Sequence, residues 1–131
     1  MLDAENIKMA SQSSGSPREA SQSGVSLPKP VADYVVAKNA HDPDAVARAF
    51  VAGGVVHDEG KVHRGQSEIV EWARDAMNRY RMTMTPLSVD GKDGKSLLTA
   101  RVEGNFPGSP IELKFSFELS GEGIRSLKVG A

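Results

Sequence analysis

Asp58, Tyr34 and His57 are the residues of this chain whose chemistry could act on a ligand. Asp58 lies in the run Val55-Val56-His57-Asp58-Glu59-Gly60, at the mouth of an acidic glycine turn. Two readings stand for its carboxylate. It is a base held in a pocket, or a turn side chain before Gly60 that caps local amides. Tyr34 also has two: a hydroxyl that donates to a ligand carbonyl, or a core ring with its hydroxyl at a wet edge. His57 could position Asp58, shuttle protons or contact a ligand. Adjacent strand residues point to opposite faces, however, so His57 and Asp58 do not both face one pocket under strict alternation. That favours the surface for His57.

Other chemistries find less support. His57, Asp58, Glu59 and His63 crowd together, but their spacing matches no HExxH or Cys/His pattern, and no metal site or cofactor is expected. The chain has no cysteine, which excludes a disulfide framework and thiolate chemistry. Gly53-Gly54 and the Pro107-Gly108-Ser109-Pro110 turn lack the basic residue of a phosphate-cradling loop, and no nucleophile-elbow context exists for a Ser-His-Asp triad. A net charge of -1 gives no electrostatic case for nucleic acid or an anionic membrane. No apolar run approaches the roughly 20 residues that span a bilayer, and no signal peptide is evident. Cytoplasmic location is the default expectation.

The elements that must position these residues can be read from periodicity. The chain has 131 residues, one domain by length, with 39% hydrophobic and 25% charged residues. Residues 1–29, rich in Ser, Gln and Gly, read as a disordered or extended tail; residues 30–131 read as the folded domain. Val31, Tyr34, Val35 and Lys38 lie on one face of a first helix. Asp42 is a good N-cap for a second, with Pro43 at its first position. Ala45, Val46, Ala49 and Phe50 form its apolar side, and Gly53-Gly54 is expected to stop it. A short strand at Val55 then leads into one strongly amphipathic helix from Gln66. Its apolar positions are Ile69, Val70, Trp72, Ala73, Ala76, Met77 and Tyr80.

Beyond Tyr80 the period changes to two. Met82, Met84, Leu87 and Val89 suggest a strand with a bulge or edge at Pro86. Asp90-Gly91 and Asp93-Gly94 are hairpin signals. Leu98, Ala100 and Val102 share one strand face. Phe106-Pro107-Gly108-Ser109-Pro110 is a turn by composition. Ile111, Leu113, Phe115, Phe117 and Leu119 alternate with polar residues, and Ile124, Leu127 and Val129 close the chain. Helices first and strands afterwards indicate an α+β fold with helices on one side of the sheet.

The order and spacing of several segments resemble the nuclear transport factor two-like superfamily, including SnoaL-like cyclases and ketosteroid isomerases. The segments are Val31-Ala32-Asp33-Tyr34-Val35, Asn39-Ala40-His41-Asp42, Ala45-Val46 to Phe50, Val55 to Gly60, Arg64-Gly65, Ile69, Trp72 and the Phe106–Pro110 turn. The resemblance covers residues 31–131. The resemblance implies a cone: a curved antiparallel sheet wrapped around the long helix, with N-terminal helices and an apolar pocket at the open end. It further implies that Tyr34 and Asp58 stand where ketosteroid isomerases hold an oxyanion donor and a general base. The third acid of that chemistry falls near Phe115, which donates no hydrogen bond, while Glu112 and Glu118 have the opposite parity. One missing oxyanion donor costs roughly 2.7–4 kcal/mol.

The reading is therefore a pocket protein for a small, apolar, carbonyl-bearing molecule. Its catalytic form is a cofactor-free isomerase or cyclase with Asp58 as base. Phe50, Trp72, Met77, Phe106, Phe115 and Phe117 are the expected pocket lining. A homodimer through the sheet is expected. The alternative is a non-catalytic dimerisation or partner-binding module, with Arg101, Glu103, Glu112 and Lys114 available for cross-subunit pairing.

Overall fold

The computed structural model describes residues 25–121 and 123–130. The expected tail lies outside the described residues up to position 24, and Val25–Pro28 lead into the first helix. Helix α1 spans Lys29–Asn39, with Pro30 in its first turn, where a missing N–H costs nothing. Its buried face carries Pro30, Val31, Tyr34, Val35, Ala37 and Lys38. Asp42 caps α2, Pro43–Arg48, by accepting from the Ala45 N–H at 3.1 Å.

Helix α2 ends earlier than the sequence suggests. Phe50 begins β1, Phe50–Asp58, so Gly53-Gly54 lies inside a strand and does not stop the helix. The register of β1 shifts between Phe50 and Val55, as in a β-bulge. A Cβ at Gly54 would lie 3.0 Å from Phe50 Cβ. The glycine lets the kinked strand fold close upon its own first residue.

The structure adds a strand that periodicity does not reveal, β2, Lys61–Arg64. Glu59 at φ 54° and Gly60 at φ 76° form a two-residue reversal between β1 and β2, the backbone such hairpins require. Helix α3, Gly65–Tyr80, follows and buries Ile69, Trp72, Ala73, Ala76 and Met77. The Glu68 carboxylate accepts from the Arg64 N–H at 2.8 Å, satisfying a donor at the helix start. Gln66 Nε2 donates to the carbonyls of Ala47 and Phe50 at 3.1 and 3.0 Å, tying α3 to the α2–β1 junction.

Strands β3 (Thr83–Lys92), β4 (Lys95–Glu103), β5 (Ile111–Ser120) and β6 (Gly123–Gly130) complete one curved, unclosed sheet. Its order is β2-β1-β6-β5-β4-β3. The expected antiparallel sheet holds except at one seam, where β1 and β6 run parallel. Asp93-Gly94 makes the β3–β4 reversal, both with positive φ, whereas Asp90-Gly91 stays paired inside β3. The register shift between Pro86 and Ser88 marks the expected bulge. The inner face buries Val56, Leu98, Ala100, Val102, Phe115, Phe117 and Leu127 against the helices. The outer face exposes Leu97, Arg101, Glu112, Lys114, Ser116 and Lys128. Among the described residues, three helices and a sheet curved over one side make the expected α+β cone.

Candidate functional site

A cavity of about 430 Å³ opens between α1, α3 and the inner sheet face, within the size range of small-molecule sites. Its exposed or half-exposed rim is formed by Glu59, Arg79, Tyr80, Met82, Phe106 and Pro107. Met84, Val102, Leu113 and Phe115 make apolar walls. The polar groups converge at the inner end: Tyr34 and Lys38 from α1, Asp58 from the last position of β1, and the indole of Trp72 from α3.

Tyr34 reaches this point because Val31, Val35 and the ring itself pull one face of α1 into the core. The residue is fully buried, and its hydroxyl has no hydrogen-bond partner among the described residues. Three aromatic rings fix it. Phe117 packs edge-on at 5.4 Å between centroids, Phe50 edge-on at 6.4 Å, and Phe115 tilted at 6.3 Å. Such pairs contribute about 0.5–1.5 kcal/mol each beyond their burial. Burial raises the Tyr34 phenol above its usual range, and the Asp58 carboxylate adds to the rise. The hydroxyl therefore keeps its proton and can serve only as a neutral donor or acceptor.

Asp58 is half-buried, and its Oδ2 accepts from Trp72 Nε1 at 3.0 Å. Its carboxylate thus turns inward to the indole and does not cap the local turn. Trp72 in turn presents a ring face to Lys38, whose Nζ lies 4.9 Å from the ring centroid and 6.0 Å from that of Tyr34. Lys38 is buried as a residue and makes no hydrogen bond or ion pair among the described residues, its Nζ keeping a small accessible surface toward the cavity. Burial pushes its ammonium down to about 8, a fall that the Asp58 charge partly offsets.

The wall opposite α3 is held by Asn39. Its Nδ2 donates to the Met84 carbonyl at 2.9 Å, and its Oδ1 accepts from the Met84 N–H at 2.8 Å. The side chain thereby pairs with β3 as a neighbouring strand would. His41 Nε2 donates to the Met82 carbonyl at 2.9 Å and extends the same seam. At the rim, Arg79 lies 3.6 Å from Glu59 and Tyr80 packs edge-on against Phe106 at 6.0 Å.

Among the residues singled out in the sequence, Tyr34, Asp58, Trp72, Phe106 and Phe115 all line the cavity. His57 does not join them. Strand alternation turns it to the outer face, where it is exposed in a shallow groove with Ser116, Leu97 and Lys128. Phe50, Met77 and Phe117 are buried but lie outside the lining. Phe50 and Phe117 pack behind the Tyr34 ring. Met77 is one helical step, about 100°, round from Ala76, and so leaves the face that Trp72, Ala76 and Tyr80 share. Glu112 is exposed and Glu118 half-buried, neither lining the cavity, whereas Phe115 does. Sequence reasoning missed Lys38 and Asn39. The signal for Lys38 was its place four residues after Tyr34 on an otherwise apolar face. Among the described residues, no cluster of three or more His, Asp or Glu is placed to hold a metal ion. No helix among them is long and apolar enough to cross a membrane.

No protein-family profile and no curated protein matches the chain. Solved structures do. A Sinorhizobium meliloti protein put forward as a polyketide cyclase is 35% identical, with a TM-score of 0.76 over 79% of this chain and 94% of its own. This chain belongs to the nuclear transport factor two-like superfamily. Two structures with lower identity share the fold with this SnoaL-like domain. One is a Catenulispora acidiphila protein of ketosteroid isomerase-like fold in complex with trimethylamine, 19% identical, with a TM-score of 0.73 over 81% of this chain and 87% of its own. The other is SalBIII, an epoxide hydrolase/cyclase-like enzyme of pyran ring formation in the polyether salinomycin. It is 22% identical, with a TM-score of 0.65 over 78% of this chain and 87% of its own.

Proposed function

We propose that this SnoaL-like domain binds a small, apolar, carbonyl-bearing molecule and moves a proton next to that carbonyl, as a cofactor-free isomerase or cyclase. The observation that carries this reading is the Tyr34 hydroxyl, buried at the inner end of an apolar cavity with no partner among the described residues. A buried hydroxyl without a partner costs about 1–3 kcal/mol. A ligand carbonyl oxygen would supply the missing acceptor. In the proposed reaction Asp58 removes the proton α to the carbonyl while the Tyr34 hydroxyl donates to the developing enolate oxygen. The Trp72 N–H holds the Asp58 carboxylate on one oxygen, leaving the other for the substrate. Phe115 supplies no second donor, but the Lys38 ammonium places a positive charge in the same cavity, which would favour an enolate.

The test reads proton transfer whatever the product. A panel of ketones and polyketide-like compounds is screened by thermal shift, and the hits are incubated in D2O. Deuterium entering the α-carbon reports proton abstraction directly. We expect hits among apolar ketones and exchange that falls at least a hundredfold in Asp58→Asn. Ligand hits with exchange unaffected by Asp58→Asn would remove Asp58 as the base, and no hit would remove the carbonyl ligand. A homodimer through the outer sheet face is a separate proposal, supported by exposed Leu97 among alternating charges. Light scattering showing a strict monomer at micromolar concentration would overturn it.

A further inference from the structure

We propose that Lys38 is a reactive amine that forms a reversible imine with an aldehyde or ketone bound in the cavity. The inference rests on the carbonyl-pocket reading and adds a covalent activity to it. A buried lysine is ordinarily paired with a carboxylate or hydrogen-bonded, because an isolated buried ammonium is costly. Lys38 lacks both kinds of partner among the described residues, and its Nζ stands over the Trp72 ring at 4.9 Å in a cavity walled by apolar side chains. The same amine sits at the inner end with Tyr34 and Asp58, where the carbonyl of an apolar ligand would be directed. Other titratable groups line the cavity too: Glu59 after β1, and Arg79 and Tyr80 on α3.

Imine formation needs the neutral amine. Burial lowers Lys38 to about 8, so about one-tenth of it is neutral at pH 7, against roughly 0.03% for an ordinary lysine. The nitrogen lone pair attacks the carbonyl carbon and gives a carbinolamine. The C–O bond then breaks as the C=N bond forms. Both hydrogens of the neutral amine end on the departing oxygen, which leaves as water. Asp58 is the group placed to carry them between nitrogen and oxygen, and no external oxidant or reductant is required.

The test uses the full-length chain, 2-naphthaldehyde as probe and cyanoborohydride as trapping reductant. Quenching of Trp72, the single tryptophan, reports occupancy before any reductant is added. Trapping should add the mass of the aldehyde less one oxygen, and peptide mapping should place it on Lys38. At pH 7 labelling of Lys38 should exceed that of exposed lysines on the order of a hundredfold. It should reach half its maximum near pH 8, with exposed lysines following two to three pH units higher, about where free lysine titrates. Lys38→Met and the charge-retaining Lys38→Arg should both lose the adduct. Because Lys38 lines the cavity beside Trp72, 2-naphthaldehyde is titrated against each variant separately and adduct yields are compared at matched occupancy. Quenching with no adduct, or with label spread over the exposed lysines, overturns the imine and leaves the pocket reading intact. Neither quenching nor adduct overturns both.

Discussion

Replacing Lys38 by methionine should stabilise this domain at neutral pH, and the gain should vanish in alkali. The side chain is 7% exposed, and its ammonium falls from 10.5 to about 8, first through burial. At 1.36 kcal/mol per pH unit that fall corresponds to about 3 kcal/mol. Below pH 8 both the folded and unfolded chains carry the proton, and the folded state bears the whole penalty. Between pH 8 and 10.5 the folded chain releases the proton while the unfolded chain keeps it, so stability rises with pH. Above 10.5 neither is charged and the penalty is gone. The methionine side chain would keep the unbranched stem and remove the charge. It would also remove the contact with the Trp72 face, which offsets about 1 kcal/mol. The net gain expected at pH 7 is about 2 kcal/mol, near 10 °C in the unfolding midpoint of a domain of this size. Urea unfolding of both chains at pH 6, 7, 8, 9 and 10 measures it. A destabilised variant at pH 7, or a difference that stays constant over that range, would refute the reasoning, because either requires Lys38 to be paired or wet.

Tyr34→Phe should raise stability by about 1–3 kcal/mol, because it deletes a buried hydroxyl without a partner and keeps all three ring contacts. The same change should slow α-proton exchange of a bound ketone by 10²–10³, of the order of one lost oxyanion donor; chemical denaturation and NMR read the two effects. Asn39→Ala should lower stability by about 1–3 kcal/mol, since it leaves the Met84 N–H and carbonyl without their partners beside the cavity. Denaturation gives that magnitude, and amide exchange faster at Met84 than in the β5 core would localise it.

Much of this architecture is legible from periodicity because burial and pattern agree. The face of α3 carrying Ile69, Trp72, Ala73 and Met77 is buried as its spacing requires, and Phe115 and Phe117 point inward as alternation requires. The same alternation separates Asp58 from His57. Other features are set by contacts that no local pattern records. Phe50 reads as the end of a helix by its spacing from Val46, but the Gly54 backbone folds against it, and the chain is already a strand there. Strand β2 has four residues at a sheet edge, too few for alternation to show. The parallel seam of β1 with β6 joins segments about seventy residues apart, and only the closed sheet brings them together. Phe50 and Phe117 look like pocket rings from the sequence, but Tyr34 stands in front of them. Lys38 is hardest to read. A lysine at the C-terminal end of a helix looks like a solvated cation favouring the helix dipole; its place on the apolar face of Tyr34 is the one contrary signal, and the depth of the α1 seat decides between them.

The inner end of the cavity sets local stability against ligand chemistry. Phenylalanine in place of Tyr34 and methionine in place of Lys38 would fill the same volume and remove both an orphaned hydroxyl and an unpaired ammonium. Each present side chain therefore weakens the fold relative to an apolar neighbour of its own shape. One such residue could be an accident of drift. Two of them, four positions apart on one helix, face one cavity together with a carboxylate from another element. Departures from local consistency tend to gather where a site needs them. The rest of the interior shows no comparable departure among the described residues: its other fully buried large side chains are Phe117, Ile69, Leu98, Ile124, Leu127 and valines. The polar groups are thus concentrated where a bound carbonyl would satisfy the hydroxyl and meet the charge. Ligand binding should accordingly recover stability that the empty domain lacks.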